Sequence, residues 1–179
     1  MHRLFVAVRP PRAIRATLEQ AMGGVGAARW QNDDQLHLTI RYIGEVDRRM
    51  AEEIAIALGH VHGCAAEVAI SGVGAFERRG HVDALWAGVT PHDALAALHR
   101  KVDHALVRIG LPAEGRAYLP HITLARLPRS VSPPEIAAWQ AREAGLASPA
   151  FTFEHLILFE STLGGDGAAY ETVARWPLT

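Results

Sequence analysis

The segments QLHLTI (residues 35–40) and PHITLA (residues 120–125) share the order histidine, apolar residue, threonine, apolar residue. Their histidines, His37 and His121, lie 84 positions apart in a chain that has ten histidines. Chance placement of two such matches has a probability on the order of 0.002. The repeated pattern therefore indicates two parts of one site, provided that the fold brings the segments together.

Each segment alternates in the way that is typical of a half-buried strand. Successive side chains on a strand point to opposite faces, so His37 and Thr39 share one face of the first strand. By the same argument His121 and Thr123 share one face of the second strand. The apolar residues between them point into the core, and each strand offers one imidazole and one hydroxyl to the opposite side.

Two imidazoles and two hydroxyls that face each other suit in-line phosphoryl transfer. One neutral imidazole removes a proton from the entering oxygen, and one imidazolium protonates the leaving oxygen, since histidine changes charge near neutral pH. The threonine hydroxyls donate hydrogen bonds to the phosphate oxygens. This chemistry requires no metal, so we expect no metal ligands and no cofactor.

The order strand, helix, motif strand, helix, strand occurs twice along the chain, with the motif strands near 35–43 and 118–127. The other predicted strands are at 4–8, 66–76, 84–89, 151–161 and 168–178, and the predicted helices are at 11–22, 45–61, 91–109 and 133–145. The repeat predicts two similar lobes, each a small sheet covered by helices, related by a pseudo-twofold axis. A cleft between the lobes is then the natural place for a site.

The composition is that of a folded domain, with 49% hydrophobic and 21% charged residues. A chain of 179 residues makes one domain, or two small lobes that share a core, so we expect a single two-lobed domain over 1–179. No apolar run is long enough to span a membrane, and the first residues lack the features of a secretory signal. The single cysteine, Cys64, fits a reducing cytoplasm.

Other histidines offer one alternative site. His60, His62 and Cys64 alternate in HVHGC and could converge on a metal ion, although the glycines around them make a regular strand doubtful. The histidines on the helix predicted at 91–109, among them His99, lie mostly off its apolar stripe, and we expect them on the surface.

Seven segments of the chain follow the order found in one known family. They are RLFVAVRPP at 3–11, RW at 29–30, LHLTIRYIGEV at 36–46, GVGAF at 72–76, LWAGV at 85–89, PHITLARL at 120–127 and RWPL at 175–178. The chain resembles the two-histidine phosphoesterases over essentially its whole length, and most closely their bacterial and archaeal RNA 2',3'-cyclic phosphodiesterase branch, also called 2'-5' RNA ligase. The resemblance implies an α+β, bilobal fold with an antiparallel sheet in each lobe and the catalytic strands lining a central cleft.

The resemblance also implies an activity and the residues that carry it. The activity is metal-independent opening of an RNA-terminal or nucleoside 2',3'-cyclic phosphate to a 2'-phosphate, with 2'-5' ligation of RNA ends as the reverse reaction. By analogy His37 is the general acid to the leaving oxygen and His121 is the general base to water. Thr39 and Thr123 are the phosphate-binding hydroxyls.

Two arginines are further candidates for phosphate binding. Arg126 matches an arginine that the family places after the second motif, but strict alternation puts it on the face opposite His121. Either the strand twists or bulges at its end, or Arg126 has a structural ion-pair role. Arg41 falls on the His37 face by simple counting.

A nucleotide- or RNA-end-binding module with little turnover is the alternative function, and the two intact motifs argue against it. The net charge of −1 favours a short RNA end or a small cyclic nucleotide over a long nucleic acid. We expect no membrane partner, a cytoplasmic location, and a monomer, since one chain supplies both halves of the site.

Overall fold

The computed structural model describes residues 1–165 and 167–179, and in this part of the chain it has four α-helices and nine strands. The helices are α1 (Arg12–Gln20), α2 (Arg48–Gly59), α3 (Asp93–Arg108) and α4 (Pro133–Glu143). The strands are β1 (His2–Val8), β2 (Arg29–Trp30), β3 (Leu38–Val46), β4 (Glu67–Arg78), β5 (His81–Thr90), β6 (His121–Arg126), β7 (Phe151–Thr152), β8 (His155–Gly164) and β9 (Gly167–Pro177). None of these helices is long and apolar enough to cross a membrane.

The helices begin where the sequence supplies a cap. The Asp47 side chain accepts a hydrogen bond from the Met50 backbone N–H at 2.8 Å and starts α2. Ser132 caps α4 in the same way, and prolines fill the first turn, where their missing N–H costs nothing. Each helix then buries an apolar stripe, such as Ile54 and Leu58 of α2, against the main core.

All strand pairs are antiparallel, and the sheet runs in the order β7-β4-β5-β6-β3-β1-β8-β9, with β2 paired to β6. The predicted α+β class with antiparallel pairing is confirmed. Exchanging β1 with β5, β3 with β6 and β4 with β8 turns the central order β4-β5-β6-β3-β1-β8 into its own reverse. This symmetry of the strand order favours the internal repeat. The division of the domain into two lobes remains a prediction.

The two separate sheets expected for two lobes are replaced by one sheet. The halves are joined where Leu38 of β3 lies opposite Ile122 of β6, both of them fully buried. This is the single registered pair between the two strands in the described residues, and beyond it they part. The central cleft therefore opens within one sheet rather than between two.

The first motif strand carries a β-bulge directly after its threonine. Thr39 lies opposite Ala7 of β1. The preceding residue of β1, Val6, lies opposite Arg41, so Ile40 is the extra residue. A bulge of this kind shifts all later side chains to the opposite face from the one that simple alternation gives.

The second motif strand has the same bulge at the same place. Thr123 lies opposite Trp86 of β5. Leu85 lies opposite Ala125, so Leu124 is the extra residue. Both motifs thus read histidine, apolar residue, threonine, bulge, and this shared irregularity decides where the residues after them point.

Several predicted strand boundaries were wrong, and the second motif strand begins at His121 instead of near 118. The residues at 33–35 form a single 3₁₀ turn, so β3 begins at Leu38 instead of near 35. The strand predicted at 151–161 is two strands, because β7 pairs with β4 whereas β8 pairs with β1 and β9. An apolar run cannot show that its two ends pair with different neighbours.

Candidate active site

The motif residues face each other where the two halves of the sheet meet. His37 immediately precedes β3, and His121 is the first residue of β6. With Leu38 opposite Ile122, antiparallel register places His37 across from Thr123 and Thr39 across from His121. The four predicted residues therefore form a crossed arrangement of two imidazoles and two hydroxyls.

Both imidazole rings are oriented by the backbone two residues earlier. His37 Nδ1 lies 2.7 Å from the Gln35 carbonyl, and His121 Nδ1 lies 2.7 Å from the Leu119 carbonyl. A carbonyl oxygen only accepts, so Nδ1 carries a proton in both rings and donates it. Each Nε2 is thereby left without a proton in the neutral ring, so it is the ring nitrogen that can accept one.

The two threonines are not in the same state. The Thr39 hydroxyl lies 3.1 Å from His37 Nε2 and donates to it, since Nε2 of the neutral ring has no proton. The Thr123 hydroxyl has no such partner within residues 1–165 and 167–179. The first half of the site is internally hydrogen-bonded and the second half is open.

Aromatic rings surround His37. Its ring centroid lies 5.0 Å from that of Phe5 and 5.2 Å from that of Tyr170, which meets it edge-on, and Phe159 lies at 6.3 Å. Burial among these rings lowers the pKa of His37 to about 4, because the imidazolium loses its hydration. The Gln35 carbonyl opposes this shift, and the positive charge of Arg126 adds to it.

His121 has a smaller aromatic wall. Phe76 meets its ring edge-on at 4.8 Å and Trp86 lies at 6.0 Å. Burial again lowers the pKa of His121 below its ordinary value, with the Leu119 carbonyl opposing and the charge of Arg126 adding to the decrease. Both imidazoles are therefore neutral at pH 7 in the free protein.

The bulge at Leu124 resolves the position of Arg126. Counting from His121 places Arg126 on the buried face, but the extra residue returns it to the histidine face, where it is exposed. Its guanidinium has no hydrogen-bond or ion-pair partner in the described chain, and its charge acts on both imidazoles. The Arg126 guanidinium is thus exposed on the histidine face, where the family resemblance places a phosphate-binding arginine.

The expectation for Arg41 needs correction. The bulge at Ile40 turns the Arg41 side chain away from the His37 face, and only 6% of the residue is exposed. Its Nε donates to Asp103 of α3 at 2.8 Å, and its other nitrogens donate to the Tyr42 and Pro112 carbonyls. Because the whole guanidinium is committed, Arg41 anchors β3 to α3 and offers no free donor to a phosphate.

Two residues at the site make contacts with each other that the sequence pattern does not predict. Tyr118 and His99 stack with ring centroids 4.3 Å apart and planes 7° from parallel. His99 is half-buried and donates from Nδ1 to the Ile40 carbonyl at 2.7 Å, so its predicted surface position was wrong. The Tyr118 hydroxyl donates to the Thr39 carbonyl. Only the tertiary structure reveals these two hydrogen bonds, because the bond from His99 spans 59 positions and the bond from Tyr118 spans 79.

A cleft of about 500 Å³ is lined by two of the motif residues, Thr39 and His121, and its walls also include Arg41, Tyr118 and Arg126. This size suits a nucleotide-scale ligand. A groove of about 470 Å³ lies between α2 and α3 and holds none of the motif residues.

The alternative metal site at HVHGC has no geometric support. His60 and His62 line the groove between α2 and α3, whereas Cys64 lines a different cavity. Across 1–165 and 167–179, no three histidine, cysteine, aspartate or glutamate side chains come close enough to hold a metal ion.

The sequence matches a family model over residues 10–165, and the family is the 2'-5' RNA ligase superfamily. The chain belongs to this superfamily. The resemblance found in the motifs is confirmed, and the matched range contains all six candidate site residues.

The chain is also similar in sequence to curated proteins that are named RNA 2',3'-cyclic phosphodiesterase. The chain is 28% identical over 151 residues to an RNA 2',3'-cyclic phosphodiesterase of Geobacillus stearothermophilus, covering 83% of this chain and 47% of that protein. It thus spans about half the length of that relative. It is 24% identical over 182 residues to an RNA 2',3'-cyclic phosphodiesterase of Methanocaldococcus jannaschii, covering 97% of this chain and 99% of that one. The prediction of a phosphodiesterase enzyme agrees with both.

Solved structures share the fold. The structure of E. coli LigT in complex with 3'-AMP superposes with a TM-score of 0.79 at 24% identity, covering 99% of this chain and 98% of that one. The structure of TT0787 of Thermus thermophilus superposes with a TM-score of 0.77 at 22% identity, covering 98% of this chain and 97% of that one. These similarities extend over the whole sheet and support the antiparallel α+β architecture.

Proposed function

We propose that this protein hydrolyses RNA-terminal or nucleoside 2',3'-cyclic phosphates to 2'-phosphates, without a metal ion, by histidine general acid–base catalysis. The observation that carries the proposal is the crossed pair of motifs, in which a backbone carbonyl orients each of the His37 and His121 rings through Nδ1 and leaves Nε2 for proton transfer. Relatives that bear this activity as their name support the substrate class.

In the proposed reaction, water attacks phosphorus in line with the P–O3' bond. Neutral His121 accepts the proton of the water at Nε2, the P–O3' bond breaks, and the His37 imidazolium gives its Nε2 proton to O3'. The product keeps the phosphate on O2'. Thr39, Thr123 and Arg126 bind the phosphate oxygens and stabilise the charge that develops on them.

The proton on His37 depends on substrate. A pKa of about 4 leaves His37 neutral in the free protein at pH 7, and in that state it cannot act as an acid. The cyclic phosphate carries a negative charge, which raises the pKa of both neighbouring imidazoles when it binds. The substrate thus brings about the charged form that its own cleavage needs, and the assignment of acid and base to the two histidines remains part of the proposal.

The proposal includes reversible 2'-5' ligation of RNA ends. A 5'-hydroxyl then takes the place of water as the entering group, and cleavage of the 2'-5' linkage back to the cyclic phosphate exchanges the proton-transfer roles of the two histidines. The name of the superfamily supports this chemistry. We further propose that the protein acts as a monomer, since one chain holds both halves of the site, and in the cytoplasm, given its single cysteine.

The decisive experiment incubates wild type, His37→Ala and His121→Ala with the four 2',3'-cyclic nucleotides in the presence of EDTA. We expect wild type to yield the 2'-phosphomonoester, and each variant to lose at least about 100-fold in kcat, which is the usual scale of general acid–base catalysis. Full turnover by either variant, or abolition of wild-type turnover by EDTA, would refute the proposal. Tight nucleotide binding without product would instead favour the nucleotide- or RNA-end-binding module.

A further inference from the structure

The parting of β3 and β6 leaves carbonyls at the edge of β3 that no β6 backbone reaches. Two side chains satisfy them. The Tyr118 hydroxyl donates to the Thr39 carbonyl at 2.9 Å, and His99 Nδ1 donates to the Ile40 carbonyl at 2.7 Å. These are the carbonyls at the bulge itself, so the stacked pair of Tyr118 and His99 holds β3 at the point where it leaves β6.

Tyr118 connects the two halves of the site. It lies three residues before His121 in the chain, and its hydroxyl holds the backbone of Thr39, which lies across from His121. His99 belongs to α3, so stacking against it ties the tyrosine to the helix layer. Burial raises the pKa of Tyr118, so the phenol stays protonated and remains a donor.

The second motif has no equivalent side-chain contact within the described residues. There the carbonyl of the bulged residue, Leu124, accepts a hydrogen bond from the backbone N–H of Gln31 at 2.8 Å. Backbone holds one half of the site and side chains hold the other. A side-chain substitution can therefore remove a hydrogen bond to the bulge in the first half, whereas the bond to the bulge in the second half joins backbone atoms.

We propose that Tyr118, stacked on His99, is a positioning residue that sets the distance between the Thr39 hydroxyl and His121. The proposal rests on the proposed function of the site. In-line transfer needs the phosphate held between groups from both halves, and a misplacement of about 1 Å can cost on the order of 100-fold in rate. A hydrogen bond from one catalytic segment to the other fixes that distance directly.

The first test is Tyr118→Phe, which removes only the hydroxyl. We expect kcat on a 2',3'-cyclic nucleotide to fall about tenfold or more, with KM within about threefold, since alignment is lost while most substrate contacts remain. In a Thr39→Val background the same substitution should cost less than about twofold, because the group that it positions is already absent. Equal losses in both backgrounds would overturn the proposal.

The second test separates hydrogen bonding from packing at His99. His99→Phe keeps a ring for stacking but loses the donor, whereas His99→Asn places an N–H near the former Nδ1. We expect His99→Asn to retain more kcat than His99→Phe. The matched control is His60→Phe, because His60 also faces a backbone carbonyl through Nδ1, that of Ile56 at 2.9 Å, but outside the cleft. A loss of kcat in the control equal to that in His99→Phe would argue for a general stability effect.

Crystal structures of wild type and Tyr118→Phe give a reading that does not depend on turnover. We expect the spacing between Thr39 Oγ1 and His121 Nε2 to differ by roughly 1 Å, the scale at which alignment affects rate. An unchanged spacing would overturn the positioning role even if the proposed activity holds. Absence of wild-type turnover with a changed spacing would refute the activity and leave the positioning role intact.

Discussion

The two motif strands have the same bulge but use the residues beyond it in opposite ways. In β3 the residue after the bulge is Arg41, which is buried and paired with Asp103. In β6 the corresponding residue is Ala125, and the next one, Arg126, is exposed on the histidine face. One strand uses its arginine to anchor the site, and the other presents its arginine to the cleft.

This difference shows that an arginine near a catalytic motif is not enough to assign its role. Arg41 follows Thr39 by two positions and Arg126 follows Thr123 by three, and a bulge between them reverses the faces. The two motif strands have the same backbone irregularity but different side chains beyond it. The histidines and threonines occur in both halves, whereas one arginine is committed to an ion pair and the other is exposed at the cleft.

The largest expected effect is a difference in the free energy of unfolding between variants of the two arginines. Arg41→Ala leaves the Asp103 carboxylate, whose side chain is 14% exposed, without its ion-pair partner, so we expect the free energy of unfolding to fall by about 3 kcal/mol. Arg126→Ala removes an exposed side chain, and we expect a change within about 0.5 kcal/mol. Urea unfolding of both variants measures this contrast. Equal losses would mean that the two arginines are not divided as described.

A second comparison concerns the two threonines. We expect Thr123→Val and Thr39→Val each to lower kcat/KM about 100-fold, because each removes one donor to the developing charge on phosphate. Steady-state kinetics on a 2',3'-cyclic nucleotide measures both losses. Thr→Ser at either position keeps the hydroxyl and serves as the control, which should recover most of the activity. An inactive Thr123→Val beside a fully active Thr39→Val would show that only one half binds phosphate.

The different burial of the two histidines predicts a pH dependence of stability. The pKa of His37 is about 4 in the folded protein and about 6.5 in the unfolded chain, so the unfolded chain binds the proton first as the pH falls. Stability is therefore lost on acidification through this window, and His37 accounts for about 2 kcal/mol of the loss between pH 7 and pH 5. His37→Gln, which cannot titrate, should lack this part of the loss.

Urea unfolding of wild type, His37→Gln and His121→Gln at pH 7 and pH 5 measures how much free energy of unfolding each protein loses on acidification. We expect His121→Gln to reduce the acid sensitivity in the same direction but by less, because its pKa is lowered less than that of His37. Identical pH slopes for wild type and His37→Gln would contradict the buried, neutral state of His37.

The smallest expected effect is a shift in the pH dependence of kcat/KM when the charge of Arg126 is removed. Both histidine pKa values are lowered, so kcat/KM, which reports the free protein, should peak between pH 4 and pH 6.5 and decline above it. Arg126→Gln removes a positive charge that contributes to both shifts, so the decline should move upward by a fraction of a pH unit. Arg126→Lys keeps the charge and should leave the decline in place. A downward shift in Arg126→Gln would exclude this electrostatic role.

Alternation in the sequence was sufficient to predict that His37 shares a face with Thr39, and His121 with Thr123, because short apolar repeats specify a strand and its faces. The same alternation failed for Arg41 and Arg126. Nothing in the segments TIR and TLA marks a bulge, since a bulge depends on the register of the neighbouring strand. The contacts of His99 and Tyr118 depend on how α3 and the segment before β6 pack against β3. The local sequence pattern therefore does not predict them.

The carbonyls that orient the two imidazoles belong to Gln35 and Leu119, and their contribution is main chain. Many acid–base histidines depend on a neighbouring carboxylate, which one substitution can delete. Here every amino acid at positions 35 and 119 supplies the same acceptor. The tautomer of each imidazole therefore does not depend on which side chain stands at its orienting position.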